Sequence, residues 1–215
     1  LLGLVVSRLK GRPLVYMELG ARHSVLSNRV VDLLSRAYDH TLGSALARLA
    51  DVLIGNSAAG VDFMRHLGAT KKIDIVPDGV DLEAFRRRET DLRERLGLGD
   101  ALVIATASRL IYAKGVQDLI KAFGEVREEV PNARLLIAGD GPFRWELERL
   151  AREVDGEGII FLGQLGRQQL VEVLSITDVY VNPSYSESRS AQILEAGAVG
   201  IASVATDVGG TREVV

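Results

Sequence analysis

Residues 101–123 read ALVIATASRLIYAKGVQDLIKAF. An apolar run of strand length is followed by a loop carrying Arg109 and Lys114, and then by a helical segment at about 115–130. Short apolar runs bounded by turn residues are the mark of buried strands. The same order recurs downstream. ARLLIAG (133–139), GIIFLG (158–163), DVYVNPS (178–184) and GIASVAT (200–206) read as strands, with helical segments at about 142–154, 166–176 and 189–198. Strands this apolar are buried on both faces, which requires a parallel sheet covered by helices. Right-handed crossovers then give a doubly wound, Rossmann-like α/β domain.

Upstream the alternation is looser. PLVYM (13–17), DVLIG (51–55) and KIDIVP (72–77) read as strands, with a long helical stretch over 28–49 and a helix opened by Ser57 as N-cap. The segment DLEAFRRRETDLRERLGLGD (81–100) is charged and reads as a boundary, dividing the chain into residues 1–81 and 82–215. Its run Arg86-Arg87-Arg88 reads as a solvated face. The N-terminal LLGLVVSRLKGR has two readings, an amphipathic helix on a membrane surface or, preferred, a core-facing helix before PLVYM.

The composition narrows the function. The chain has 215 residues, is 47% hydrophobic and carries a net charge of −3, so it can bury a core but lacks the clustered cations that non-specific nucleic-acid binding needs. It has no Cys, which excludes disulfides, thiolate zinc sites and Cys nucleophiles and fits a reducing, cytoplasmic setting. No apolar run approaches the length of a membrane span.

In doubly wound sheets, ligands bind beyond the carboxyl ends of the strands. Arg109 and Lys114 lie on one strand-to-helix loop, where backbone N–H groups and the macrodipole add to the side-chain charge to favour a phosphate. Gly139 and Gly141 also sit between a strand and a helix, but position 144 is Arg where a dinucleotide fingerprint has its third Gly. That loop reads as a tight turn lining a cleft rather than as an NAD site. PSYSESRSAQILEAGAVG (183–200) places Glu187 ahead of a helix and Glu195 inside it. With Ser190 as N-cap, Glu195 lies about 7 Å along the axis at 1.5 Å per residue. Two carboxylates flanking a helix N-terminus suit a ligand with an anion in the middle and hydroxyls at both ends, the shape of a nucleoside-diphosphate sugar.

VPDGVDLEAF (76–85), SRLIYAKG (108–115), AGDGP (138–142), the pair Glu187 and Glu195, and ATDVGGTREVV (205–215) occur in the order seen in one family. The chain resembles a retaining glycosyltransferase of family four, with the GT-B fold of two Rossmann-like domains, and reads as a fragment truncated at both ends. The resemblance implies that residues 1–81 are the later half of an acceptor-side domain. Residues 82–215 would bind the nucleotide sugar, without that domain's final helices. Arg109 and Lys114 would stabilise the leaving diphosphate, and Glu187 would meet the transferred sugar. Glu195 would hold the ribose, and Ser188, Arg189 and Ser190 would supply donors at the helix N-terminus. Ser188-Arg189-Ser190 stands where the family often has Gly-Phe-Gly, which puts a cation near the sugar. His23 matches a loosely spaced acceptor-side His. The expected partners are a nucleotide-sugar donor and a sugar, glycan or lipid-linked acceptor, which allows a peripheral membrane association. No cofactor or metal is expected, since no two Asp are separated by one residue as in the Asp-x-Asp metal motif of the other major glycosyltransferase fold. The alternatives are a nucleotide-sugar-binding module without catalysis and a nucleotide-sugar epimerase. The first would bind donor without turnover, and the second would need an acid/base pair at the sugar ring.

Overall fold

The computed structural model describes residues 2–20 and 29–215. The chain divides into two compact units. The first comprises Leu1–Asp78, Ser186–Ser190 and Asp207–Val214; the second comprises Gly79–Tyr185, Ala191–Thr206 and Val215.

The first unit holds a three-stranded parallel sheet of β1 (Val15–Glu18), β2 (Val52–Gly55) and β3 (Ile73–Ile75), in that order. Helix α1 (Leu2–Lys10) precedes β1. The long helical stretch expected over 28–49 is α2 (Arg29–Tyr38), a π-helical turn (Asp39–Gly43) and α3 (Ser44–Leu49) run together. Helix α4 (Ala58–His66) begins where Ser57 predicts, because Ser57 Oγ accepts the Gly60 N–H at 3.0 Å and satisfies a first-turn donor. The core is small: Ala47, Leu53, Phe63, Met64 and Leu67 are its main buried members. Helix α1 does not face that core. Leu2, Val5, Val6 and Leu9 fall on one i, i+3, i+4, i+7 stripe and all are exposed, whereas Ser7 is buried and donates to the Arg12 carbonyl at 2.5 Å. The core-facing reading of this segment is therefore corrected, because its apolar stripe is exposed.

The second unit is built on five parallel strands: β4 (Val103–Ala107), β5 (Arg134–Ala138), β6 (Ile159–Gly163), β7 (Val179–Asn182) and β8 (Ala202–Ala205). Their spatial order is β6-β5-β4-β7-β8, so the order reverses between β4 and β7. The helices are α5 (Leu92–Arg95), α6 (Val116–Glu129), α7 (Arg144–Asp155), α8 (Arg167–Ser175) and α9 (Ala191–Val199). Both faces of β5 are used. Leu135 and Ile137 pack with Val116, Ile120, Phe123 and Leu147 of α6 and α7, while Leu136 packs on the other face with Val173 of α8 and Leu98. Successive strand residues point to opposite faces, so a strand covered twice must be apolar throughout.

The run Arg86–Arg88 is exposed, as expected, and two of its residues also bond to the end of α8. Arg87 donates from Nε and Nη2 to the Ser175 carbonyl at 3.2 and 3.0 Å, and the Arg88 N–H donates to Ser175 Oγ at 3.0 Å. These bonds satisfy the carbonyl that ends α8, which an isolated reading of a charge run does not anticipate. Pro142 lies ahead of α7, whose first residue is Arg144.

Candidate functional site

The loops that leave β4 and β5 are joined by backbone hydrogen bonds. Ser108 N–H donates to the Ala138 carbonyl at 3.0 Å, Leu110 N–H to Asp140 at 2.9 Å, and Phe143 N–H to Leu110 at 3.0 Å. This close approach explains the glycines. Gly139 has φ +127°, and a Cβ there would lie 1.8 Å from the Ser108 carbonyl oxygen. A Cβ at Gly141 would lie 2.3 Å from the Leu110 carbonyl oxygen. Any side chain at either position would push the Arg109 loop off the β5 loop.

A cavity of ≈ 490 Å³ opens beyond these strand ends, lined by Arg109, Gly139, Gln164, Leu165, Gln192 and Glu195 among others. It collects residues from the loops after β4, β5 and β6 and from α9, the helix after β7. Ligands of open α/β sheets gather at such carboxyl edges, near the reversal of strand order. Glu195 is partly buried on the inner turn of α9. Burial pushes its carboxyl above the ordinary value, and the Arg167 guanidinium at the start of α8 draws it partly back. A carboxylate kept in an apolar helix thus has a cation facing it and a cavity beside it.

Gln164, Leu165 and Gln192 were not singled out by the sequence. Gln164 and Leu165 follow the end of β6 at Gly163, so the rule that ligands bind past strand ends points to them. Gln192 carries no local signal.

Lys114 does not line that cavity. It ends a 3₁₀ turn, Tyr112–Lys114, and is followed by Gly115 in the left-handed conformation at φ +65° and then by α6. The end of β7 is tied to the end of β8: Thr206 N–H donates to the Asn182 carbonyl at 3.1 Å, and Thr206 Oγ1 to the Ser184 carbonyl at 2.5 Å.

The segment Ser186–Ser190 belongs with the first unit. Ser188 is buried; its Oγ lies 3.0 Å from Ser57 Oγ and donates to Asn56 Oδ1, while Asn56 Nδ2 donates to Asp78 Oδ2 at 2.7 Å. Arg189 pairs with Glu213 at 3.3 Å, and Glu213 also accepts the Ala58 N–H at 2.9 Å. The Glu187 carbonyl accepts the Gly210 N–H at 3.4 Å, and Ser190 is buried just ahead of α9. The side chains of Ser188 and Arg189 are therefore engaged with protein groups. His23 lies outside the described residues. Among the described residues, no group of three or more His, Asp or Glu side chains is placed to hold a metal ion, and no helix is long and apolar enough to cross a membrane.

Comparison with known proteins adds to this geometry. The sequence profile described as glycosyl transferases group 1 matches residues 88–215. A GDP-mannose-dependent alpha-(1-6)-phosphatidylinositol monomannoside mannosyltransferase of Mycolicibacterium smegmatis is 30% identical over 206 residues, covering 85% of this chain and 54% of that protein. A GDP-mannose-dependent monoacylated alpha-(1-6)-phosphatidylinositol monomannoside mannosyltransferase of Corynebacterium glutamicum is 33% identical over 165 residues, covering 71% of this chain and 43% of that protein. Among solved structures, Anabaena HepE, crystallised with UDP and glucose, superposes with a TM-score of 0.82 at 25% identity, covering 99% of this chain and 58% of that one. The chain thus spans about half the length of the curated relatives it matches. Its fold is of the GT-B type, and the chain belongs to the glycosyl transferases group 1 family.

Proposed function

We propose that the chain belongs to an enzyme that moves a hexose from a nucleotide-diphosphate sugar to a sugar, glycan or lipid-linked acceptor, with retention of configuration and without a metal. The observation that carries this reading is that Arg109, Gly139 and Glu195, far apart in sequence, surround one cavity at the carboxyl edge of the five-stranded sheet. In this reading residues 82–215 bind the donor and residues 1–81 belong to the acceptor side. The reaction takes place in the cytoplasm, at the membrane surface where the acceptor is lipid-linked. The phosphatidylinositol mannosides named for the two mannosyltransferase relatives favour such an acceptor, and GDP-mannose is the first donor to test. The UDP held by HepE makes UDP sugars the second.

The chemistry requires charge to be stabilised on a leaving nucleoside diphosphate while the sugar becomes oxocarbenium-like. Arg109 supplies a cation on the β4 loop, and Lys114 a second one ahead of α6, where the macrodipole is positive. These groups act where negative charge grows, so they lower the barrier more than they tighten ground-state binding. Glu195 accepts hydrogen bonds from the ribose hydroxyls, and an ionised carboxylate beside Arg167 suits that task. Glu187 meets the transferred sugar, with Ser188, Arg189 and Ser190 contributing backbone groups. Retention follows a front-face displacement in which the leaving phosphate helps to deprotonate the acceptor hydroxyl.

The test is a thermal-shift screen of the purified chain against GDP, UDP, ADP and their common sugars, with and without EDTA. A ligand that binds only the native state raises Tm. One nucleotide is expected to do so without metal, and Glu195→Ala and Arg109→Ala to abolish the shift. A folded chain that responds to none of them overturns the donor site. Turnover assays with NMR of the product anomer check retention. Binding without turnover selects the non-catalytic module.

A further inference from the structure

Three residues past the end of β7, Tyr185 is bonded to both sides of the corner that carries Lys114. Its N–H donates to the Ala113 carbonyl at 2.9 Å, just before the corner. Its phenol lies beyond the corner, donating to Asp118 Oδ2 at 2.6 Å and accepting from Gln117 Nε2 at 2.7 Å. Gln117 Nε2 also donates to the Tyr112 carbonyl at 3.2 Å. The ring packs edge-on against Tyr112 at 5.4 Å, and Tyr112 packs edge-on against Phe143 at 5.9 Å. Between these contacts, a Cβ on Gly115 would lie 1.9 Å from the Pro183 carbonyl oxygen. The loop after β7 therefore closes on residues 113–118 so tightly that only glycine fits at its centre.

A lysine ammonium sits on a flexible four-carbon stem, so where it can deliver its charge depends on where its backbone is held. Lys114 ends a 3₁₀ turn and is followed by a left-handed glycine. We propose that Tyr185 is a positioning residue: its hydroxyl, held between Gln117 and Asp118, fixes the Lys114–Gly115 corner and so sets how strongly the site holds the second phosphate of a nucleoside diphosphate. This rests on the donor-site reading above. Burial and Asp118 push the Tyr185 phenol up to about 12, so the proton that bridges to Asp118 stays in place across neutral pH. Lys121 Nζ lies 3.8 Å from the other Asp118 oxygen.

The experiment is isothermal titration of the purified chain with GDP, UDP, GMP and UMP, paired with Tm. Tyr185→Phe keeps the ring and removes only the hydroxyl. It is expected to weaken the bound nucleoside diphosphate about fivefold to tenfold, the scale of one lost hydrogen bond, with little change in the monophosphate or in Tm. Asp118→Leu is expected to do the same. Asp118→Asn keeps an acceptor oxygen and is expected to retain diphosphate affinity within about twofold. The proposal is overturned if the wild type binds a diphosphate and Tyr185→Phe and Asp118→Leu bind it equally well. It is also overturned if mono- and diphosphate weaken together with a fall in Tm, which marks a structural role. A wild type that binds neither diphosphate removes the donor-site reading itself, and this inference with it.

Discussion

Leu135, Leu136 and Ile137 of β5 are 0% exposed, whereas Val30, Leu33 and Leu34 of α2 are 65%, 68% and 64% exposed. Both segments carry large aliphatic side chains, yet one is the centre of a core and the other lies on the surface. β5 is flanked by β4 and β6 and covered by α6 and α7 on one face and α8 on the other. α2 sits in a unit whose sheet has three strands and whose buried set does not include it. Apolar content therefore measures what a segment can bury, and the number of elements packed on it decides what it does bury.

The sharpest way to break this contrast is Leu135→Ala. Removing a fully buried leucine from a strand clamped on two faces is expected to cost about 3 kcal/mol, because neighbours on all sides cannot relax into the gap. Urea denaturation followed by circular dichroism measures it, and a cost under about 1 kcal/mol would mean that the five-stranded core is looser than its burial implies. Ser57→Ala probes the smaller unit. Losing the N-cap of α4, which also meets Ser188 Oγ, is expected to cost about 1 kcal/mol, with faster amide exchange confined to the first turn of α4.

Glu195→Gln sharpens the comparison inside the larger unit, and its sign is opposite. Burial raises the folded-state pKa of this carboxyl, so the folded chain holds the proton more tightly than the unfolded chain. Stability from that proton is full below the ordinary carboxylate value and is lost as pH rises through the folded value. The glutamine variant is therefore expected to melt higher than the wild type at pH 7, with the gain shrinking as pH falls toward the ordinary carboxylate value, while losing its response to nucleotide. Calorimetry across that range checks it, and a lower melting temperature at pH 7 would contradict the desolvation argument. The smallest effect belongs to α2: Leu33→Ala is expected to change stability by no more than about 0.5 kcal/mol. A larger loss in the same urea assay would show that the helix is covered in solution.

Much of the fold is legible because its signals are local. The runs 101–107, 133–139 and 158–163 announce β4, β5 and β6 within a residue or two of their ends, since a doubly covered strand has no polar positions to confuse the reading. Ser57 announces α4 because capping is a matter of three consecutive residues. α1 misled for the complementary reason: its stripe is a sound helical pattern, but a pattern does not say which face finds a partner. The glycines at 139 and 141 looked like a partial dinucleotide fingerprint, and the structure gives them a different reason, the approach of the Ser108 and Leu110 carbonyls.

The candidate site divides in the same way. Arg109 and Glu195 stand out in sequence because a cation at a strand end and a carboxylate in an apolar helix are both locally conspicuous. Gln164 is marked only by its place after β6, and nothing in the neighbourhood of Gln192 marks it. The bonds from Tyr185 to Gln117 and Asp118 span 68 and 67 residues, and no local pattern foretells such a pairing. The sequence by itself determined the alternation of strand and helix, the parallel α/β class and the type of group at each strand end, since these follow from short-range periodicity and turn chemistry. Only the tertiary structure decided which strand ends share a cavity, which apolar stripes stay exposed, that Arg167 faces Glu195, and that Ser188 and Arg189 are spent on protein contacts. Those outcomes depend on strand order and helix packing, which bring together residues that the chain keeps far apart.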